Sequence, residues 1–169
     1  MIIYGRNPVR EALRGRRAAS VRDVWATRAA AREEWLRVLS PRIADASEIE
    51  SRCGSEAHQG VCAHAGDYPY VVDERVLGEQ DAVIVILDEV SDPQNLGSIC
   101  RTCECAGARG VVIPERRAAE VTAAVCKASA GAVEHLPLAR FIPPRERPAW
   151  TKTDRRMVAE PCSARKRAA

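Results

Sequence analysis

Aromatic residues are scarce: one Phe, three Trp and three Tyr supply 4% of the 169 residues. Any core is therefore assembled mainly from Ala, Val, Leu and Ile. No stretch approaches the ~20 consecutive apolar residues of a membrane-spanning helix. The opening MIIYGRNPVREAL also lacks the apolar stretch of a secretory signal, so the expected location is cytoplasmic. The seven cysteines are odd in number and show no paired, disulfide-type spacing. In a cytoplasmic chain they read as reduced thiols acting as small buried hydrophobes. Cys100, Cys103 and Cys105 crowd together, but no second C-x2-C pair follows, and Cys53, Cys62, His58 and His64 would join them only through tertiary accident. No metal site is expected.

What the chain does have is the composition of a globular protein, with 46% hydrophobic and 29% charged residues. Its net charge of +3 is unevenly spread. Residues 141–169 hold eight Lys/Arg against three acids, and the first 22 residues hold six Arg against Glu11 alone. Basic segments at both ends suit a polyanionic partner, although on charge alone a solvated surface serves as well.

Ile2–Tyr4 reads as an edge strand. Asn7-Pro8 reads as an N-cap and first helical position, and Gly15 as the stop of that helix. Residues 21–26 predict a strand and 29–39 a helix with Trp35, Leu36 and Leu39 on one side. Ser47 opens a short helix and 60–65 a further strand. This alternation predicts a compact α/β unit over 1–68. Gly, Pro and charged residues mark 69–80 as a linker. Beyond it, VIVIL (83–87) has the β-branched continuity of a strand buried on both faces of a parallel sheet. A loop, a helix over 96–106 closed by Gly107, and a strand over 110–113 complete a strand–helix–strand unit. A second helix is expected over 118–130 and a third strand over 132–138, within a domain spanning 81–140. The prolines after Phe141 and the loss of apolar periodicity make 141–169 an irregular basic tail.

The stretch from Asp88 to Pro114 carries the chemistry. It leaves the carboxyl end of a parallel strand, where open α/β sheets place ligands. Asn95 is positioned to cap the following helix, and Gly97 admits a close approach by backbone or ligand. Arg101, six residues on, is expected to reach back to the same mouth as a phosphate or ribose ligand.

The run L-D-x-V-x-D-P-x-N-L-G-x-I-x-R-T-x-x-x-x-G-A-x-G-V-V-I-P over 87–114 resembles the first motif of the SpoU/TrmH family of RNA 2′-O-ribose methyltransferases. YGRNPVREAL (4–13) and HQGVCA (58–63) resemble the family's L30e-like substrate-binding domain, and KASAGAVEHLPLAR (127–140) a later family segment. Together they look most like the branch that methylates a guanosine in large-subunit rRNA. The resemblance implies transfer of a methyl group from S-adenosylmethionine to a ribose 2′-OH, a Rossmann-like parallel α/β catalytic domain ending in a trefoil knot, and a homodimer with its site at the interface. By position, Asn95 and Arg101 match the catalytic Asn and Arg. Arginine stays protonated at working pH, so it suits orienting a phosphate and stabilising a developing alkoxide better than removing a proton. Glu104 matches an acidic position expected to be structural. Arg6, Arg10 and Arg14 are the expected RNA-binding residues.

The family's G-x-E-x-x-G, I-P-M and S-L-N-V-S-x-A stretches do not occur in this sequence. The expectation is therefore an incomplete catalytic domain lacking the knot, with no identifiable cofactor-binding residues and impaired or absent methyl transfer. The alternative is a non-catalytic RNA-binding module that keeps the substrate-binding domain.

Overall fold

The computed structural model describes residues 1–71 and 82–141. The tail expected over 141–169 lies, apart from Phe141, outside the described residues, as does most of the expected linker.

The first unit contains β1 (Ile2–Tyr4), α1 (Arg6–Ala12), β2 (Arg22–Ala26), α2 (Glu34–Leu39), β3 (Arg42–Ile43), α3 (Ala46–Cys53) and β4 (Val61–His64). Its sheet runs β1-β4-β2-β3, with β4 antiparallel to both neighbours and β3 parallel to β2. Strand alternation sorts side chains to two faces. Ile3, Ala26, Val61 and Ala63 join α1's Val9 and Ala12 in one core, while Trp25 and Cys62 pack with α3's Ile49 on the other face.

Three expectations change here. The N-cap of α1 is Gly5, not Asn7. The Gly5 N–H is still tied to Val61 O (2.9 Å), so the chain must turn at that residue, and its φ of 97° is one glycine reaches without strain. The helix expected over 29–39 is broken: a 3₁₀ turn at Ala30–Arg32 gives way to extended Glu33 before α2 begins. Thr27 Oγ1 accepts from Ala30 N, and Glu33 Oε2 accepts from the Trp35 indole (2.7 Å), so local side-chain bonds replace the continuous ladder. Leu36 is buried, but Leu39 is 41% exposed. Finally, β3 adds a short strand that no periodicity announced.

The second unit contains β5 (Ile84–Ile86), α4 (Pro93–Cys105), β6 (Gly110–Pro114), α5 (Ala123–Ala128) and β7 (Leu138–Phe141), with a parallel sheet ordered β5-β6-β7. Central β6 is buried throughout. The strand expected over 83–87 is shorter and less buried than VIVIL suggests, with Val83 67% and Ile86 56% exposed. Among the described residues β5 pairs only with β6, so it is an edge strand. The helix expected over 118–130 reduces to α5, because tertiary partners take the preceding backbone donors: Ala119 N bonds Val90 O and Val121 N bonds Tyr70 Oη, both at 2.8 Å. The third strand starts at 138 rather than 132. Residues Ala132–Glu134 form a 3₁₀ turn whose neighbourhood is pinned by the Tyr68 hydroxyl, 2.9 Å from the carbonyl oxygens of both Val133 and Leu136.

The units share one core, in which Ile3, Val9 and Ala63 meet Leu96, Val125 and Val133. Tyr68 and Tyr70 pack edge to face where the first unit ends, and Val71 bridges to Ala139 beside β7.

Candidate functional site

Helix α4 positions the residues singled out in the sequence. Pro93 occupies its first turn, and Asp92, not Asn95, is its N-cap: the carboxylate accepts from Gln94 N (3.3 Å) and Asn95 N (3.0 Å). This frees the Asn95 side chain, which is exposed. Gly97 lies where α4 crosses α5. A Cβ there would sit 2.5 Å from Ala128 Cβ and 3.0 Å from Ser129 N, so the close approach is made by backbone and not by a ligand. Gly107, at φ 73°, ends the helix as expected, with Ala108 N returning to Cys103 O.

Among the described residues, Asn95 and Arg101 line different clefts. Asn95 lines an open cleft of about 420 Å³ with Glu89, Ser91, Asp92, Ser98 and the apolar Val90 and Ile99. Arg101 lines a second cleft, of about 290 Å³, at the junction of the two units. Six helical residues turn through about 600°, which leaves the two side chains about 120° apart around the axis. Proximity along the helix thus suggested a common mouth that its rotation denies.

The junction cleft has three walls: Asn7 and Glu11 from α1; Arg101, Glu104 and Cys105 from α4; and Ser129, Ala130, Ala132 and His135 from the turn after α5. Arg101 and Glu104 are both exposed, and neither forms an ion pair among the described residues. His135 Nε2 donates to Glu11 Oε2 at 2.8 Å, joining the two units across the cleft. The turn is shaped by positive φ at Ala130 (53°) and Gly131 (90°). A Cβ on Gly131 would meet Glu11 Cβ at 2.7 Å, so α1 presses directly on this wall.

Arg6, Arg10 and Arg14 are all exposed along the outer side of α1 and its exit. Arg6 is paired with Glu33 (2.7 Å) and Arg14 lies 3.7 Å from Glu11, whereas Arg10 has no ion-pair partner among the described residues. Burial holds the Lys127 ammonium below its ordinary pKa, and this group lies against Gly5, where a Cβ would be 2.7 Å from Nζ. Cys100 and Cys103 are buried and Cys105 is exposed. Among the described residues no group of three His, Cys, Asp or Glu is arranged to hold a metal.

Sequence reading missed Glu11 and His135 and gave Glu104 a structural part. The first two do lie inside segments that drew attention for other reasons, YGRNPVREAL and KASAGAVEHLPLAR, but nothing in either announces that they meet.

The SpoU rRNA Methylase family matches residues 82–157, and the family described as RNA 2′-O ribose methyltransferase substrate binding matches residues 2–71. A Mycobacterium avium protein named as an uncharacterized tRNA/rRNA methyltransferase is 36% identical over 152 residues, covering 82% of this chain and 48% of that protein. A Bacillus subtilis protein named putative TrmH family tRNA/rRNA methyltransferase YacO is 48% identical over 88 residues, covering 49% of this chain and 35% of its own length. The crystal structure of the SpoU methyltransferase AviRb from Streptomyces viridochromogenes, in complex with AdoMet, aligns with a TM-score of 0.67 at 26% identity, over 86% of this chain and 57% of that one. The chain thus spans about half or less of the length of these curated relatives.

Proposed function

The chain belongs to the SpoU/TrmH family of RNA methyltransferases, and from this premise we propose that it serves S-adenosylmethionine-dependent methylation of a ribose 2′-OH in rRNA or tRNA, its own residues supplying RNA engagement. The observation that carries the reading is the pairing of two matches in one chain, a substrate-binding unit over 2–71 and a methylase unit over 82–157, with Arg101 lining the junction between their described residues.

The RNA is held first by charge. Arg10 and Arg101 are exposed and have no ion-pair partner among the described residues, and Arg6 and Arg14 add cations beside Arg10 on α1 and its exit. Phosphate contacts of this kind give affinity that falls steeply with salt. At the site of transfer, Arg101 orients the nucleotide phosphate and stabilises charge growing on the ribose oxygen. Guanosine as the modified nucleotide and a homodimeric assembly complete the proposal, on the resemblance of 87–114 and 127–140.

The described residues do not fit the cofactor. S-adenosylmethionine needs an enclosed slot, whereas the cleft at Asn95 is open and is lined by Glu89, Ser91, Asp92 and Ser98 as well as by the apolar Val90 and Ile99. This observation favours a second reading in which these residues bind RNA without transferring a methyl group.

Two measurements separate the readings. Incubation with radiolabelled S-adenosylmethionine and large-subunit rRNA tells them apart: incorporation that Arg101→Ala reduces supports the first reading, and RNA binding without incorporation supports the second. Absence of salt-dependent RNA binding sinks both.

A further inference from the structure

The described residues carry two amino groups, and the fold treats them oppositely. The Met1 ammonium donates to Ala65 O at 2.7 Å. Lys127, the only lysine among the described residues, forms no hydrogen bond or ion pair with them. It stands in the last turn of α5 and reaches across the seam to Gly5, the residue that precedes α1. A Cβ on Gly5 would lie 2.7 Å from Lys127 Nζ and 3.3 Å from its Cδ. The Gln59 side-chain oxygen, 3.2 Å from the same point, is already engaged by Arg6 N (3.1 Å). The Lys127 ammonium thus lies on the first unit with no carboxylate to offset its loss of water, and burial lowers its pKa. A lysine in such a setting holds more free amine than one in water and is the better nucleophile. The side chain is half-buried and not enclosed, so a small reagent reaches it.

We infer that Lys127 is an acylation site, modified directly by small acyl phosphates, and that the modification loosens the seam between the two units. The free amine attacks the acyl carbonyl carbon and a C–N bond forms. The bond from that carbon to the phosphate oxygen breaks, inorganic phosphate leaves with the electron pair, and the amine proton passes to water. The product is a neutral amide, bulkier than the ammonium it replaces. The contact at Gly5 is too close for even one added carbon. An acylated side chain therefore has to leave the seam, and α5 loses its hold on the start of α1. The inference goes beyond the RNA-binding reading and uses no part of it.

The full chain is treated with acetyl phosphate, and acetylation of each amine is followed by peptide mass spectrometry. The reaction is run on the folded chain and in guanidinium chloride, with free Nα-acetyl-lysine in each solution as the reference amine. Relative to that reference, Lys127 is expected to react severalfold faster in the folded chain, because unfolding restores its ordinary pKa. The Met1 amine, engaged by Ala65, is expected to react faster in the unfolded chain. A Lys127 rate that stays level or rises on unfolding means that the fold does not activate the amine, and overturns the site. The treated protein is also expected to melt about 2–4 °C lower, the scale of one disrupted contact in a chain of this size. Lys127→Arg keeps the cation and offers no amine, so the same treatment is expected to leave its melting temperature unchanged. An equal fall in Lys127→Arg assigns the effect to other amines and overturns the loosening of the seam.

Discussion

Arg17 Nε donates to Glu134 Oε2 at 2.8 Å across 117 residues of sequence, with both side chains buried at the seam between the two units. The guanidinium also donates to Gly66 O (3.1 Å) and, through its other terminal nitrogen, to Cys126 Sγ (3.1 Å). Removing one member of such a pair strands a charge out of water, at a cost of about 3–5 kcal/mol. Glu134→Ala is therefore expected to lower unfolding stability by that amount in urea titrations. The double variant Arg17→Met/Glu134→Leu, which removes both charges and keeps volume, is expected to lose less than either single change. A double variant as unstable as the sum of the singles would show that the pair is not coupled.

Gly97 gives a prediction whose sign is informative. On a free helix, Gly→Ala stabilises by about 1 kcal/mol. At this position the new methyl would meet Ala128 Cβ at 2.5 Å and Val125 O at 3.0 Å, so α4 and α5 would have to separate. Gly97→Ala is expected to destabilise by about 1–3 kcal/mol, the range for overpacking. A rise in melting temperature would mean that the helices do not approach this closely.

Asp92 and Asn95 should differ in the reverse sense from the sequence expectation. Asp92 caps α4 through two backbone N–H groups, so Asp92→Ala is expected to lose about 1 kcal/mol. Asn95→Ala removes an exposed side chain with no cap bond and should stay within about 0.5 kcal/mol of the unmodified protein. Chemical denaturation of the two variants side by side reads the difference.

These residues show why part of the molecule was legible in the sequence. The β5–α4–β6 unit was visible because its signals are local: an apolar run, a turn at Asp92-Pro93, and a glycine closing the helix. Gly97 was correctly read as a point of close approach, and only the approaching partner was open. The extent of α5 was not visible, since Ala119 and Val121 have good helix or core character but spend their N–H groups on Val90 and Tyr70. The strand at 83–87 looked fully buried because composition reports what a strand tolerates, not how many neighbours it has. In the candidate site, a motif over about 28 residues brought out Asn95 and Arg101, yet helix rotation places them in different clefts. Glu11 and His135 are 124 residues apart, and no local pattern predicts such a meeting.

The buried thiols make stability depend on pH in the alkaline range. Burial pushes Cys62 up to about 11 and Cys100 and Cys126 to about 12, from an ordinary 9.0. Neighbouring charges act on them as well, and for Cys126 the Glu134 carboxylate raises its pKa further while Arg17 opposes. A folded-state pKa above the unfolded value means that the native state keeps its proton longest. Below pH ~9 both states hold these protons and the contribution is fully present. As pH rises past that point the unfolded chain releases them and the fold does not, so unfolding is favoured by up to about 1.4 kcal/mol per pH unit for each thiol. Tyr68, whose hydroxyl is also raised by burial, adds in the same direction. Lys127 is lowered by burial and opposes the trend, but it is one group against several. Urea midpoints are therefore expected to fall steadily between pH ~8.5 and ~10.5. Cys126→Ala, whatever its effect on absolute stability, should make that slope shallower. An unchanged slope in this variant would mean that Cys126 is as accessible to solvent and base in the fold as in the unfolded chain.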